Sequence, residues 1–169
     1  VEQLVSYAAD GHLEAVKDLC NNGADKDGKT IYGTTPLTSA CKNGHVEVVR
    51  HLCEQGAEME KPGEFDLTPL STACREGHLS VVRYLCEFSV GLEQMSEDGS
   101  TALMYACWSG SLDVVRCLCE HGADKERQQH DGGTPLSLAC IREHLGVVRY
   151  LCENDVDVDK EIDVGATCL

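Results

Sequence analysis

The chain has 169 residues, 14 basic and 29 acidic, for a formal charge of −15, and carries 11 cysteines against one tryptophan, five tyrosines and two phenylalanines. One ordinary domain of roughly 100 to 200 residues fits this length, so a cofactor domain joined to a substrate domain is excluded, and the charge opposes a phosphate backbone as partner. No run of 18 apolar residues is present to cross a bilayer, Val1 to Ala9 lacks the basic-then-apolar order of a signal peptide, and a start at Val1 rather than methionine suggests a processed chain or part of a longer one.

Glu2-Gln3-Leu4 stands at the front of a register that recurs as Thr35-Pro36-Leu37, Thr68-Pro69-Leu70, Thr101-Ala102-Leu103 and Thr134-Pro135-Leu136, each a further 33 residues along. A threonine before proline starts a helix: the hydroxyl caps an orphan N–H, and proline loses nothing at the first helical position. The first full pair therefore opens with a short helix from Pro36 to about Asn43, closed by Gly44 in the left-handed conformation. A second helix follows, its apolar stripe made by Val46, Val49, Leu52 and Cys53, and it stops at Gly56. Gly56 to Thr68 reads as a polar loop. The same order follows from Thr68, Thr101 and Thr134, with Gly-His at 11–12, 44–45 and 77–78, weakened to Gly110-Ser111 and Glu143-His144. Val-Val-Arg recurs at 48–50, 81–83, 114–116 and 147–149. No unit buries its own apolar stripe, so the period predicts a solenoid.

T-P-L at a helix start, A-C-x-x-G-H-L-x-V-V-R-x-L-C-E-x-G-A across the pair and the 33-residue step resemble ankyrin repeats. The resemblance implies an all-α fold, a solenoid of stacked helix-turn-helix units with β-turn or hairpin-like loops. It implies a single domain over 1–169, with repeats at about 1–33, 34–66, 67–99, 100–132 and 133–165 and a further repeat starting at 166–169, so the array is expected to continue past Leu169. Departures are informative. The family's histidine after T-P-L is replaced by Thr38, Ser71, Met104 and Ser137, so its bond must be supplied otherwise. Ser89, Asp155 and Glu143 stand where glycine ends other helices, and a left-handed non-glycine residue costs roughly 1 kcal/mol. Asp66 replaces the loop glycine found at Gly33, Gly99 and Gly132.

Cys41, Cys74, Cys107 and Cys140 form one ladder and Cys20, Cys53, Cys86, Cys119 and Cys152 another; Cys117 and Cys168 lie on neither. Rungs about 8 to 10 Å apart exceed the reach of a disulfide, and Cys117 and Cys119 do not make a C-x2-C zinc pair. Packing outweighs redox sensing and metal binding, with Cys117, on the polar side of its helix, the best candidate for a reactive thiol. The resemblance assigns His12, His45, His78 and His144 to bonding the neighbouring turn rather than to a metal or a pH sensor. Arg50, Arg83, Arg116 and Arg149 each precede a glutamate by four residues, which predicts a self-neutralised face. Asp155, Asp157 and Asp159 start like a calcium loop, but Lys160 and Ala166 break the pattern, leaving an acidic loop tip from Glu153 to Asp163. No phosphate-binding, nucleophile-elbow or zinc-protease motif is present, and every Cys and His near-pair repeats along the ladders, so no catalytic residue, metal ligand or cofactor is assigned.

The resemblance implies that the loop tips and the exposed face of the first helix meet the partner. By register the candidates are Ile31, Tyr32, Lys42, Phe65, Leu67, Arg75, Glu76, Asp98, Met104, Trp108, Ile141 and Arg142. The leading expectation is a non-catalytic module that binds a segment of another protein, with an apolar centre and mixed or basic flanks, in a concave groove anchored by Trp108. It excludes nucleic acid and membrane as partners and places the chain inside the cell, in the cytoplasm, as a monomer or part of a longer chain. A rigid spacer and a thiol sensor are the competing readings.

Overall fold

A computed structural model describes residues 1–88, 91–154 and 156. Among these, ten α-helices run in pairs: α1 Glu2–Ala9 with α2 Leu13–Asn21, α3 Pro36–Lys42 with α4 Val46–Glu54, α5 Pro69–Glu76 with α6 Leu79–Cys86, α7 Ala102–Ser109 with α8 Leu112–Glu120, and α9 Pro135–Ile141 with α10 Leu145–Glu153. One 3-10 turn, Glu64–Asp66, precedes α5. First helices stack on first helices and second on second, the first layer more closely. Leu37, Leu70, Leu103 and Leu136 with Ala40, Ala73, Ala106 and Ala139 fill one side of the core, and Val49, Val82, Val115 and Leu52, Leu85, Leu118 the other. Ser89, Asp155, Cys168 and most of the Glu153 to Asp163 acidic stretch lie outside the described residues, as does the register position Thr167-Cys168-Leu169.

The caps form as the sequence predicts. Thr35, Thr68 and Thr134 hydroxyls accept the N–H of Thr38, Ser71 and Ser137 at 3.1 to 3.2 Å. The missing histidine is replaced in kind: Thr38 and Ser137 hydroxyls accept the Thr35 and Thr134 N–H at 3.0 and 2.8 Å, and the Met104 sulfur receives the Thr101 N–H at 3.4 Å. The Thr101 hydroxyl is buried without a partner.

The glycine and histidine tracks together make a lock between repeats. His45 Nε2 bonds the Ala9 carbonyl at 2.8 Å, His78 the Lys42 carbonyl at 3.0 Å and His144 the Trp108 carbonyl at 3.0 Å. Each ring lies under the glycine of the preceding repeat, so a Cβ on Gly44 would stand 2.6 Å from His78 Nδ1 and one on Gly110 2.5 Å from His144 Nδ1. Both glycines have φ of 74°, so shape and backbone conformation demand the same residue. Glu143 adopts φ 59° and Asp66 φ 57°, the left-handed conformation their register requires.

The loops form hairpin-like turns, in which the N–H groups of Thr30, Gly63, Ser96 and Gln129 bond the carbonyls of Thr34, Leu67, Ser100 and Gly133 at 2.8 to 3.0 Å. A second cross-repeat device is an acidic ladder. Asp27, Glu60 and Glu93 carboxylates accept the backbone N–H of Glu58, Gly91 and Asp124, each at 2.8 Å. Part of the negative charge thus joins the loops of successive repeats.

Two expectations need correcting. Packing does not bury either cysteine ladder throughout: Cys41, Cys74, Cys107 and Cys86 are buried, Cys140, Cys20, Cys53 and Cys119 are half-buried, and Cys152 is exposed. The arginine track is not self-neutralised by the glutamate four residues on. Arg50 reaches Glu47 at 3.7 Å and lies over the Tyr84 ring, 5.0 Å from its centroid, while Arg116 lies 5.4 Å over Tyr150. An aromatic face on the next outer helix competes for a guanidinium better than a solvated carboxylate does.

Candidate partner-binding groove

The hairpin-like turns and first-helix ends place two columns of side chains. The turn column is Tyr32, Phe65, Asp98 and Asp131, and the helix-end column is Lys42, Arg75, Trp108 and Ile141. The columns trade character midway. Where the turn offers an aromatic ring the helix end is basic, and where the turn is acidic the helix end is apolar. Ile31, Tyr32, Phe65, Trp108 and Ile141 are all exposed, Phe65 at 75% and Trp108 at 41%.

Phe65 has φ 56°, left-handed for a bulky residue, and is followed by Asp66 in the same region. Such a conformation costs on the order of 1–2 kcal/mol. The turn is nevertheless tied down, because Thr34 donates its hydroxyl to Glu64 at 2.6 Å and Lys42 reaches Glu64 at 3.7 Å.

The groove includes a cleft of about 360 Å³ between α7 and α9, walled by Arg75, Asp98, Trp108, Gln129, Asp131 and Ile141. Tyr105 and Leu138 also line it. Arg142 lies over the indole, its guanidinium carbon 4.5 Å from the ring centroid. Burial opposes ionisation of Asp98, but bonds from the Ser96 hydroxyl at 2.7 Å, the Ser100 N–H at 3.0 Å and the Tyr105 hydroxyl at 3.4 Å outweigh it and hold this carboxyl below its usual range. Asp131 accepts the Gly133 N–H at 3.1 Å. Arg75 is shared with Glu76 at 3.1 Å. Among the described residues no cation pairs with Asp98 or Asp131.

The structure therefore brings Arg75, Asp98, Trp108, Ile141 and Arg142 together, and sets Ile31, Tyr32 and Phe65 apart on the turns of the earlier repeats. Three sequence assignments change. Leu67, 2% exposed, tucks inward beside Thr38 and Thr72, and its carbonyl closes the turn by accepting the Gly63 N–H. Met104 is fully buried, since its sulfur serves the Thr101 cap. Cys117 is 3% exposed: the preceding outer helix covers it, and burial pushes its thiol up, with the nearby Arg83 charge only partly offsetting this. Sequence reasoning also missed Tyr105 and Gln129, which the 33-residue register places opposite Thr72 and Ser96 but whose reach toward Ser96 and Ser100 only coordinates reveal.

The family model for ankyrin repeats in three copies matches residues 3–62 and 60–129, and the single-repeat model matches 131–162. The chain belongs to the ankyrin repeat family. Such repeats are in general protein–protein interaction modules and typically non-catalytic. No curated protein matches the sequence significantly. No helix among the described residues is long and apolar enough to cross a membrane.

Proposed function

We propose that the chain is a non-catalytic module whose groove binds a segment of another protein, with an apolar residue seated on Trp108 and Ile141 and a basic residue beside it meeting Asp98 and Asp131. One observation carries this reading: the single tryptophan stands exposed in a cleft, held by Arg142, with two carboxylates on the facing turns, Asp98 and Asp131, that no cation among the described residues pairs with. Aromatic anchors ringed by polar groups typically supply most of the energy of an interface. Tyr32 and Phe65 extend the apolar track toward Lys42, and Lys42 and Arg75 already share their charges with Glu64 and Glu76, so the partner has an apolar centre and mixed flanks that are basic where they meet Asp98 and Asp131. Neither nucleic acid nor membrane fits these turns. The many free thiols suit a reducing, cytoplasmic setting, as a monomer or one segment of a longer chain.

The experiment is selection from a displayed peptide library, with counter-selection on the Trp108→Ala, Phe65→Ala double variant. Peptides carrying an apolar centre next to Lys or Arg should enrich on the wild-type chain alone. Equal recovery on both chains would show that the groove is not the binding surface, and wild-type enrichment without that pattern would contradict the partner chemistry proposed.

A further inference from the structure

Away from the groove, the outer helices stack so that a ladder cysteine meets the residue 31 positions on. Cys119 thereby bonds Tyr150 and Cys53 lies beside Tyr84. At one junction the tyrosine is replaced by Cys117, and two buried thiols, Cys86 and Cys117, face each other across α6 and α8. His121, one turn beyond Cys117, caps the end of α8 and places its Nδ1 3.9 Å from Cys117 Sγ. The two sulfurs and the imidazole nitrogen all lie within 4.8 Å of one another. The geometry points to a metal site, in which Cys86, Cys117 and His121 bind one zinc ion as two thiolates and an imidazole, with a fourth position open to solvent.

A tetrahedral ion with Zn–S of about 2.3 Å and Zn–N of about 2.0 Å holds its ligands roughly 3.5 to 3.8 Å apart, so closure needs side-chain rotation by about 1 Å or less. His121 is exposed and free to make it. Two soft sulfurs with an imidazole select zinc over magnesium or calcium. The balance is explicit: Zn²⁺ replaces the two thiol protons, which leave to solvent, so the site gains a net charge of zero. His121 Nδ1–H now donates to the Cys117 carbonyl at 2.8 Å. On binding, that proton is given up and the ring takes one on Nε2 instead, freeing the Nδ1 lone pair. The Cys117 carbonyl keeps the His121 backbone N–H at 3.2 Å, so the helix end retains a partner. Spacing along the chain hides the site, because its ligands come from two repeats.

The test uses reduced, chelator-stripped chain titrated with Zn²⁺ by calorimetry and with Co²⁺ by absorption. The site predicts one ion per chain, with tetrahedral cobalt bands and thiolate-to-cobalt charge transfer. Cys117→Ser and Cys86→Ser should weaken zinc binding by about 100-fold and His121→Ala by at least about tenfold, while Cys152→Ser leaves it unchanged. Circular dichroism checks the fold of each variant, and if the buried cysteine variants unfold, the exposed His121 decides. Absence of the charge-transfer band at one equivalent, wild-type affinity in folded His121→Ala, or loss in Cys152→Ser overturns the site.

Discussion

Arg142 lies over the ring of Trp108 at 4.5 Å although the two belong to successive repeats, so the orientation of the only tryptophan is set by its neighbour. The pair preorganises the groove: an indole already held flat loses less freedom when a ligand covers it. Arg142→Ala should therefore raise acrylamide quenching of the tryptophan emission and weaken peptide binding several-fold, with about 1 kcal/mol or less lost in stability. Unchanged quenching would mean that the arginine does not order the ring.

Phe65 holds an exposed ring on a strained backbone, a combination that stability alone does not favour. Phe65→Gly should raise the free energy of unfolding by about 1 kcal/mol, since glycine accepts φ near 56° without penalty. The same substitution should reduce peptide affinity. Urea unfolding and a binding isotherm on one preparation check both signs, and a destabilised variant would contradict the strain.

Gly110→Ala should cost about 2 kcal/mol or more, from left-handed strain plus the displaced His144 bond to Trp108. His144→Ala alone should cost about 1 kcal/mol. Denaturant midpoints measure both, and because His144 bonds the Trp108 backbone, tryptophan emission should also shift in both variants.

Buried thiols make the fold sensitive to alkali. Burial raises Cys41 and Cys74 well above 9.0 and pushes Cys86 up to about 12. Between about 9 and those folded values the native chain keeps protons that the unfolded chain has lost, so stability is intact below pH 9 and falls as pH rises above it. Each fully buried thiol contributes a slope of up to about 1.4 kcal/mol per pH unit. Urea midpoints at pH 8 and pH 10.5 should differ in that direction, and Cys74→Ala should flatten the difference.

Thiol accessibility gives a direct chemical reading of the outer face. Limited alkylation under native conditions should label Cys152 ahead of Cys117, Cys41, Cys74 and Cys107. Peptide mass mapping orders the sites, and early labelling of Cys117 would contradict its burial.

The parts of this fold legible in the sequence are those fixed within one repeat. Thr35 before Pro36 caps a helix wherever it occurs, and Gly44 turns left-handed for local reasons, so helices and turns fall where the period puts them. The groove was legible to the extent that exposure follows register, as it does for Tyr32, Phe65, Trp108 and Ile141. It failed at Leu67 and Met104, although their register equivalents are buried as well, Ser100 for the one and Thr38, Ser71 and Ser137 for the other. Contacts between repeats were the hardest to read. Arg50 on Tyr84, Glu60 on Gly91 and Cys86 on Cys117 join residues 31 to 34 apart, an offset set by how helices and loops of successive repeats lie against one another rather than by the 33-residue repeat itself.

The most direct test of the groove is the affinity of one selected peptide, with an apolar centre and a basic neighbour, for three chains: wild type, Trp108→Ala with Phe65→Ala, and Arg149→Ala on the outer helices. Loss of Trp108 and Phe65 should weaken binding by about 30-fold or more, as expected for an aromatic anchor worth about 2 kcal/mol, while Arg149→Ala binds as wild type does. Equal affinity for the wild-type and double-variant chains, or a loss confined to Arg149→Ala, would contradict binding in the groove.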